Sequence, residues 1–485
     1  MSDVAQLLLP AIRWDPARGY GGESERIDLA LELGVGGFIL FGGEQDAVRV
    51  LTKDLRRRSR IPLLIAADME RGAGQQFAGA TGLPPLAAIA SLGDVDAIRK
   101  AARLTAREAR TLGVNWDYAP VCDLDIVPEN PIIGTRSLGS DPKIVATLAT
   151  EWINACQSEG VLACAKHFPG HGRTRTDSHA GLPVVSASKR ELMETDLVPF
   201  KAAVAAGVAS IMTAHISYPA LDPSGAPATL SRELLHWFLR QQFKFDGLIV
   251  TDAMIMEGIL VGQSESEAAV RAFNAGCDLL LYPTDLKTVV EAMERALRDE
   301  MIEEDRLKQS LRRRLKWAQW ASPPNEYRKP APTDIAWGGR IADRLVHVVR
   351  GTPRPISSPL EIVVVDDDLG GPYPAPSREP FFQALASSGV KTRRVDATSN
   401  GATSAVVALF GDVRSWKGRS GYSAESRESV ERICAAVPNT MVMQFSHPRL
   451  AQEVPGASTV VSAWGGEAVM QQAAARWLGR AAVAT

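Results

Sequence analysis

Short, nearly unbroken apolar runs recur along the first two-thirds of the chain. They are GGFILFGG (36–43), PLLIAADM (62–69), VNWDYAPVCD (114–123), VLACAKHF (161–168), ASIMTAHI (209–216), GLIVTDAM (247–254) and CDLLLYP (277–283). Such runs suit strands buried on both faces of a parallel sheet. Helical patterns separate most of them, as at 97–112, 189–206, 231–242 and 264–275, and this alternation predicts βα units. Seven runs are one short of a (β/α)8 barrel. VAQLLLPAI (4–12) supplies either the eighth strand or an opening helix, and periodicity over so few residues does not separate the two. A doubly wound open sheet is the alternative, but no GxGxxG fingerprint follows the first strand. Polar residues at the C-terminal ends of the runs favour a TIM-type (β/α)8 barrel, where those ends converge on one mouth.

Around 321–337 the pattern stops. ASPPNEYRKPAPTDIAW is proline-rich and reads as a linker. The pattern restarts with EIVVVDDD (361–368), AVVALFGD (405–412), MVMQFSH (441–447) and STVVSAWG (458–465), interleaved with helical segments. The expected organisation is an α/β barrel over 1–320, a linker over 321–337 and a smaller α/β domain over 338–485. A length of 485 residues agrees with two domains.

Composition narrows the classes. A formal net charge of -2 with no basic face excludes the electrostatic footprint of a nucleic-acid binder. Arg312, Arg313 and Arg314 follow acidic residues in a helical pattern and read as a solvated helix face. Five cysteines without CxxC or CxxH spacing fit a reducing compartment. The opening segment lacks a basic n-region, and its apolar run is short for a signal peptide. No apolar stretch approaches the ~18–20 residues that span a bilayer. A soluble, cytoplasmic protein with no membrane partner is expected.

The densest chemistry lies in KHFPGHGRTRTDSHAGLP (166–183), directly after a predicted strand. Three of the seven histidines, His167, His171 and His179, fall in it. Pro169, Gly170 and Gly172 forbid a regular helix, so it is a loop. His167 and His171 are four apart, but Phe-Pro-Gly between them cannot hold both on one helical face, and neither Cys partners nor an HExxH glutamate is present. No metal is expected. His171 divides evenly between loop support and function. Asp177 and His179, two apart in an extended segment, point the same way. A carboxylate there orients the imidazole, and such a pair can deliver a proton and take one back. Asp252 ends an apolar strand and faces the mouth, or else caps the next helix. His215 ends another strand and lines the pocket or sits in the core. Asp366, Asp367 and Asp368 read as a solvated strand-end turn, with cation binding the weaker alternative.

KHFPGHG followed by D-S-H and then LP resembles the signature of glycoside hydrolase family 3, specifically its bacterial β-N-acetylglucosaminidase branch. GVGGFILFGG, APVCDLD, NPIIGTRSLGSDP, MTAHI, TDAM and EAAVRAFNAGCDLLL extend the likeness over roughly residues 1–320. The resemblance implies a retaining exo-β-N-acetylglucosaminidase with Asp252 as nucleophile and an Asp177–His179 acid/base dyad, without a cofactor. It implies that Asp68 grips hydroxyls of the terminal sugar, that Arg136 contacts the same ring, and that Lys166 and His167 line that subsite, with His215 in the pocket. The C-terminal part resembles the family's appended α/β sandwich domain. With a cytoplasmic location, the expected substrates are peptidoglycan-derived fragments carrying terminal N-acetylglucosamine (GlcNAc).

Two departures stand out. Ala73 occupies the place of the family's arginine, leaving Arg71 as a substitute, and Arg173 stands where an aspartate is common, with Arg175 two residues on. Those guanidinium groups either approach an anionic aglycone or are solvated loop charges. Alternative functions are a β-N-acetylglucosaminide phosphorylase, a broader β-glycosidase and a non-enzymatic sugar sensor.

Overall fold

A computed structural model describes residues 2–322, 330–368, 375–399 and 401–482. Residues 323–329 of the expected linker lie outside the described residues. Backbone contacts divide the chain into two units. The first comprises Met1–Thr81, Val95–Val127 and Ser137–Pro330; the second comprises Gly82–Asp94, Pro128–Arg136 and Ala331–Thr485.

The first unit is α/β. Its strands are β1 (Leu8–Leu9), β2 (Ala11–Arg13), β3 (Gly37–Phe41), β4 (Leu64–Ala67), β5 (Trp116–Asp117), β6 (Leu162–Phe168), β7 (Ser210–Thr213), β8 (Leu248–Thr251) and β9 (Leu280–Leu281). Strands β2 to β8 pair in parallel and in sequence order. β9 pairs in parallel with β1, and a bridge between Val250 and Leu279 joins it to β8. The short stretch Leu8–Arg13 therefore pairs on both flanks, with β9 before Pro10 and β3 after it. VAQLLLPAI is both of its alternatives in turn, a single tight helical turn at Val4–Leu7 and then the strand. Helices Val95–Thr111, Lys189–Glu194, Leu197–Ala205, Glu233–Gln242 and Glu265–Ala275 occupy the expected helical segments.

Alternate strand residues enter one buried cluster: Leu64 and Ala66, Trp116 and Tyr118, Leu162 and Cys164, Leu248 and Val250, Leu279 and Leu281. The two-residue period of an extended chain selects them. The arginine run is not a solvated face. On helix Glu304–Trp320, Leu307, Ser310, Arg314 and Ala318 form the buried stripe, so the helical period turns Arg314 inward, where it donates to the Pro62 carbonyl. Arg312 stays exposed, while Arg313 is half-buried beside Asp278. No helix among the described residues is long and apolar enough to cross a membrane.

The second unit holds β10 (His347–Arg350), β11 (Leu360–Asp366), β12 (Thr392–Val395), β13 (Ser404–Phe410), β14 (Asn439–Phe445) and β15 (Thr459–Ser462). Their order is β10-β15-β14-β13-β11-β12, parallel except for β10. β10 and β12 were invisible in the pattern because they are sheet-edge strands with partly exposed, polar sequences. Helix Pro332–Leu345 starts inside the segment expected to be linker, with Pro332 opening it and Asp334 accepting the Ala331 N–H. Asp367 and Asp368 are buried and do not form a solvated turn. Asp367 pairs with Lys417 (3.2 Å) and Arg419 (2.9 Å), and Asp368 with Arg378 (2.7 Å), so the chain's own cations occupy the triplet.

Asp278, just before β9, ties the first unit together. Its oxygens lie 2.5 Å from Arg240, 3.2 Å from Arg306 and 3.4 Å from Arg313, and accept from Ser310 and the Ile249 N–H. Burial opposes ionisation, but the three guanidinium groups override it and hold the carboxyl down at about 2. Because the folded value lies below the unfolded one, this stabilisation is present above about pH 4 and is lost as the pH falls toward 2. Asp278→Ala strands buried cations and should lower the unfolding free energy at pH 7 by about 3–5 kcal/mol. Denaturant titration measures this; a loss below about 1 kcal/mol would show that the cluster is not the clamp.

Candidate active site

The stripe that fills the interior of the first unit ends in polar groups. Leu64 and Ala66 lead to Asp68, Leu162 and Cys164 to Lys166, and Leu248 and Val250 to Asp252. Ala11 and Ile39 lead likewise to Arg13 and Phe41, where the Arg13 guanidinium stacks 4.2 Å from the Phe41 ring. A two-residue period thus carries β4, β6 and β8 from a dry interior to a charged strand end.

Lys166 Nζ sits 2.7 Å from Asp68 Oδ1 and 2.7 Å from Glu70 Oε1. His167 is the next residue, and in a regular strand it would face the opposite way. The register of β6 against β7 shifts between Ala165 and Phe168, and both side chains serve the site. His167 Nδ1 lies 2.6 Å from Asp123 Oδ2. Asp123 also accepts the backbone N–H groups of His167 (3.1 Å) and His171 (2.6 Å). Burial alone would raise this carboxyl, but His167 beside it and the other donors hold it below its ordinary value.

From there the loop is stitched to itself. His171 Nδ1 is 2.7 Å from Thr174 Oγ1 and its Nε2 is 3.1 Å from Ser178 Oγ, so both ring nitrogens make contacts within the loop. Gly172 packs so tightly that a Cβ would lie 2.0 Å from the Leu124 carbonyl oxygen. The Ser178 carbonyl accepts the Gly258 N–H at 3.0 Å, tying the loop to the segment that follows Asp252. The pairing of Asp177 with His179 is present, but by a different geometry from an extended segment. Asp177 Oδ1 accepts the His179 backbone N–H at 3.0 Å and lies 2.6 Å from its Nδ1, so a turn closed by the aspartate folds the ring back onto it. Asp177 is buried, and 17% of the His179 side chain remains exposed.

Asp252 follows β8, and its Oδ1 accepts the Ala253 N–H at 2.8 Å. Burial pushes this carboxyl up, while the nearby imidazoles of His167, His215 and His179 pull it below the usual carboxylate range. The strand end and the histidine loop therefore lie within electrostatic range of each other, an ionised carboxylate on one and a carboxylate-oriented imidazole on the other. Such a pair can attack an electrophilic carbon and move a proton. His215 is fully buried, with Nδ1 2.7 Å from Thr229 Oγ1 and Nε2 3.1 Å from the Ala253 carbonyl.

Among the expected site residues, the fold gathers Asp68, Lys166, His167, Asp177, His179, His215 and Asp252 at strand ends and in the adjoining loop. Arg136 belongs to the second unit, in the turn Gly134–Arg136, where it donates to the Ile132 carbonyl. Arg173 does not await an anionic ligand. Glu191 (2.7 Å) and Asp196 (2.8 Å) bind it, making it a staple between the loop and the helix beyond. Arg175 is exposed. Sequence reasoning missed Asp123, Glu70 and Asp117 as partners of the site. Their positions after apolar strands were the available signal.

Comparison with known proteins gives a consistent picture. The glycosyl hydrolase family 3 N-terminal domain matches residues 3–316. A beta-N-acetylglucosaminidase/beta-glucosidase of Cellulomonas fimi is 38% identical over 279 residues, which is 56% of this chain and 49% of that protein. The chain thus spans about half the length of this relative. A glycoside hydrolase family 3 beta-N-acetylglucosaminidase from Paenibacillus sp. superposes with TM-score 0.86 at 27% identity, covering 99% of this chain and 96% of its own. A beta-glucoside phosphorylase superposes with TM-score 0.84 at 25% identity, covering 99% and 92%.

The geometry of His215 makes a checkable statement. A carbonyl only accepts, so Nε2 carries the proton to Ala253, while Nδ1 shares the Thr229 hydroxyl with the Ala214 carbonyl. Burial lowers its affinity for a second proton more than the Asp252 charge restores it. Nitrogen-15 NMR should find the neutral Nε2–H tautomer at pH 7, with the second proton taken up below the ordinary histidine range. Titration at or above that range would contradict the assignment.

Proposed function

The chain belongs to glycosyl hydrolase family 3, and we propose that it acts as a retaining exo-β-N-acetylglucosaminidase. The observation that carries this reading is that Asp252 and His179 lie within electrostatic range of each other, with Asp177 behind the imidazole. Asp252 Oδ2 attacks the anomeric carbon while His179 Nε2 gives its proton to the leaving oxygen, forming a covalent glycosyl-enzyme. Water then attacks the same carbon, gives a proton back to His179 and releases the carboxylate. Two inversions leave the configuration retained. Asp177 keeps the Nδ1 side of the ring occupied, so that Nε2 alone exchanges the proton.

Asp68 and Lys166, with His167 beside them, are the proposed grip on the terminal sugar, through charge-assisted hydrogen bonds to its hydroxyls. His215, bound to the Ala253 carbonyl next to Asp252, is the proposed backing of the pocket. Arg136 enters as a sugar contact only through the family resemblance. The ring of parallel pairings supports the reading of the first unit as a (β/α)8 barrel with its site at the C-terminal mouth. The second unit, read as the family's α/β sandwich domain, supplies no reacting group in this scheme. GlcNAc as the sugar rests on the names of the relatives. Peptidoglycan-derived fragments as substrates follow from a cytoplasmic location, which the five free thiols support.

Phosphorolysis is a second reading, favoured by the structural likeness to a beta-glucoside phosphorylase. A neutral imidazole repels incoming phosphate less than a carboxylate acid/base would, so inorganic phosphate can take the place of water in the second step.

A panel of chromogenic β-glycosides, assayed with and without inorganic phosphate, tests both readings. The N-acetylglucosaminide should be cleaved in preference to the glucoside. Free sugar as product supports hydrolysis, and sugar 1-phosphate supports the second reading. Asp252→Asn should lower kcat by about 1,000-fold or more while retaining sugar binding. Unchanged turnover in that variant would overturn the nucleophile assignment.

A further inference from the structure

Asp117 is fully buried at the end of β5 and takes no part in the scheme above. Its Oδ1 accepts the Met69 N–H at 3.2 Å, against the backbone that joins Asp68 to Glu70. Its Oδ2 has no hydrogen-bond partner. Both neighbouring carboxylates are already committed to Lys166, at 2.7 Å each. A third ionised carboxylate here, with one oxygen receiving no donor, would carry a large desolvation cost.

We propose that Asp117 is a positioning residue for the Lys166–Asp68 pair, kept as the neutral acid against the Asp68–Glu70 turn, and that loss of its proton loosens the grip on the sugar. The inference rests on the proposed role of Asp68 and Lys166 in holding that sugar.

The groups facing Asp117 are Lys166 on β6, Asp68 and Glu70 after β4, and the thiols of Cys164 on β6 and Cys156 on helix Pro142–Ser158. Burial keeps both thiols protonated, raising Cys164 to about 12 and Cys156 well above its ordinary value. Burial also raises Asp117. The Lys166 charge opposes it, Asp68 and Glu70 add to it, and the carboxyl is pushed up to about 8. Below that pH the folded protein keeps the proton. As the pH rises through about 8, a third anion forms beside one ammonium, competing with Asp68 for Lys166 and repelling the Asp68 carboxylate.

Asp117→Asn keeps a neutral oxygen acceptor for Met69 at every pH; Asp117→Leu removes it. Infrared difference titration of the full chain between pH 7 and pH 9 should show a protonated-carboxyl band disappearing in the wild type and absent from Asp117→Asn. Over the same interval the wild-type KM for an N-acetylglucosaminide should rise about ten-fold with a smaller change in kcat, and Asp117→Asn should lack that rise. Asp117→Leu should show a raised KM at all pH values, and the Asn variant should restore it. A titrating band that persists in Asp117→Asn, or a KM profile in that variant that follows the wild type, would overturn the proposal. The infrared result does not depend on turnover, so failure of the glycosidase reading remains distinguishable from failure of this one.

Discussion

A strand buried on both faces has no place for a charged side chain except at its end. That constraint organises the first unit. Strands β4, β6 and β8 give alternate residues to a dry interior, and the next residue in the same phase is the charged one. Asp68, Lys166 and Asp252 continue the stripes that Ala66, Cys164 and Val250 belong to. Moving any of these strands by one residue would exchange the two faces and send the polar end away from the site. Packing of the interior and placement of the chemistry are therefore one problem with one solution.

Charges in this setting are held in place by one another. Asp123 receives two backbone N–H groups and one imidazole, and in doing so fixes the start of the histidine loop. Asp177 does the same on a smaller scale for His179. Asp252 is held below its ordinary value despite its burial by nearby imidazoles and the Ala253 N–H. Asp117 has no comparable set of donors and keeps its proton. Carboxylates at the ends of parallel strands thus occupy opposite charge states, and the difference lies in what donates to them.

Much of this was legible in the sequence. The apolar runs announced the strands because burial on both faces leaves an unmistakable pattern, and proline and glycine marked 166–183 as a loop. The contact between Asp177 and His179 was legible because the two are close in sequence. Asp123 was not, because its partner His167 is 44 residues away and no local pattern links them. Arg314 was misjudged because charge composition says nothing about which stripe of a helix faces inward. Arg173 was misjudged because its partners, Glu191 and Asp196, are reached only when the loop folds back on the following helix. Segments 82–94 and 128–136 join the second unit although the chain around them builds the first, and nothing in their composition signals that exchange.

The central claim is that Asp252 and His179 act on opposite sides of one sugar carbon. Its most direct measurement uses a 5-fluoro N-acetylglucosaminyl fluoride, which forms a glycosyl-enzyme faster than it releases it. Intact-mass analysis followed by peptide mapping locates the adduct. The account predicts a single sugar attached to the peptide containing Asp252, formed with inactivation and released as activity recovers. An adduct on another carboxylate, or inactivation without any adduct, would contradict it.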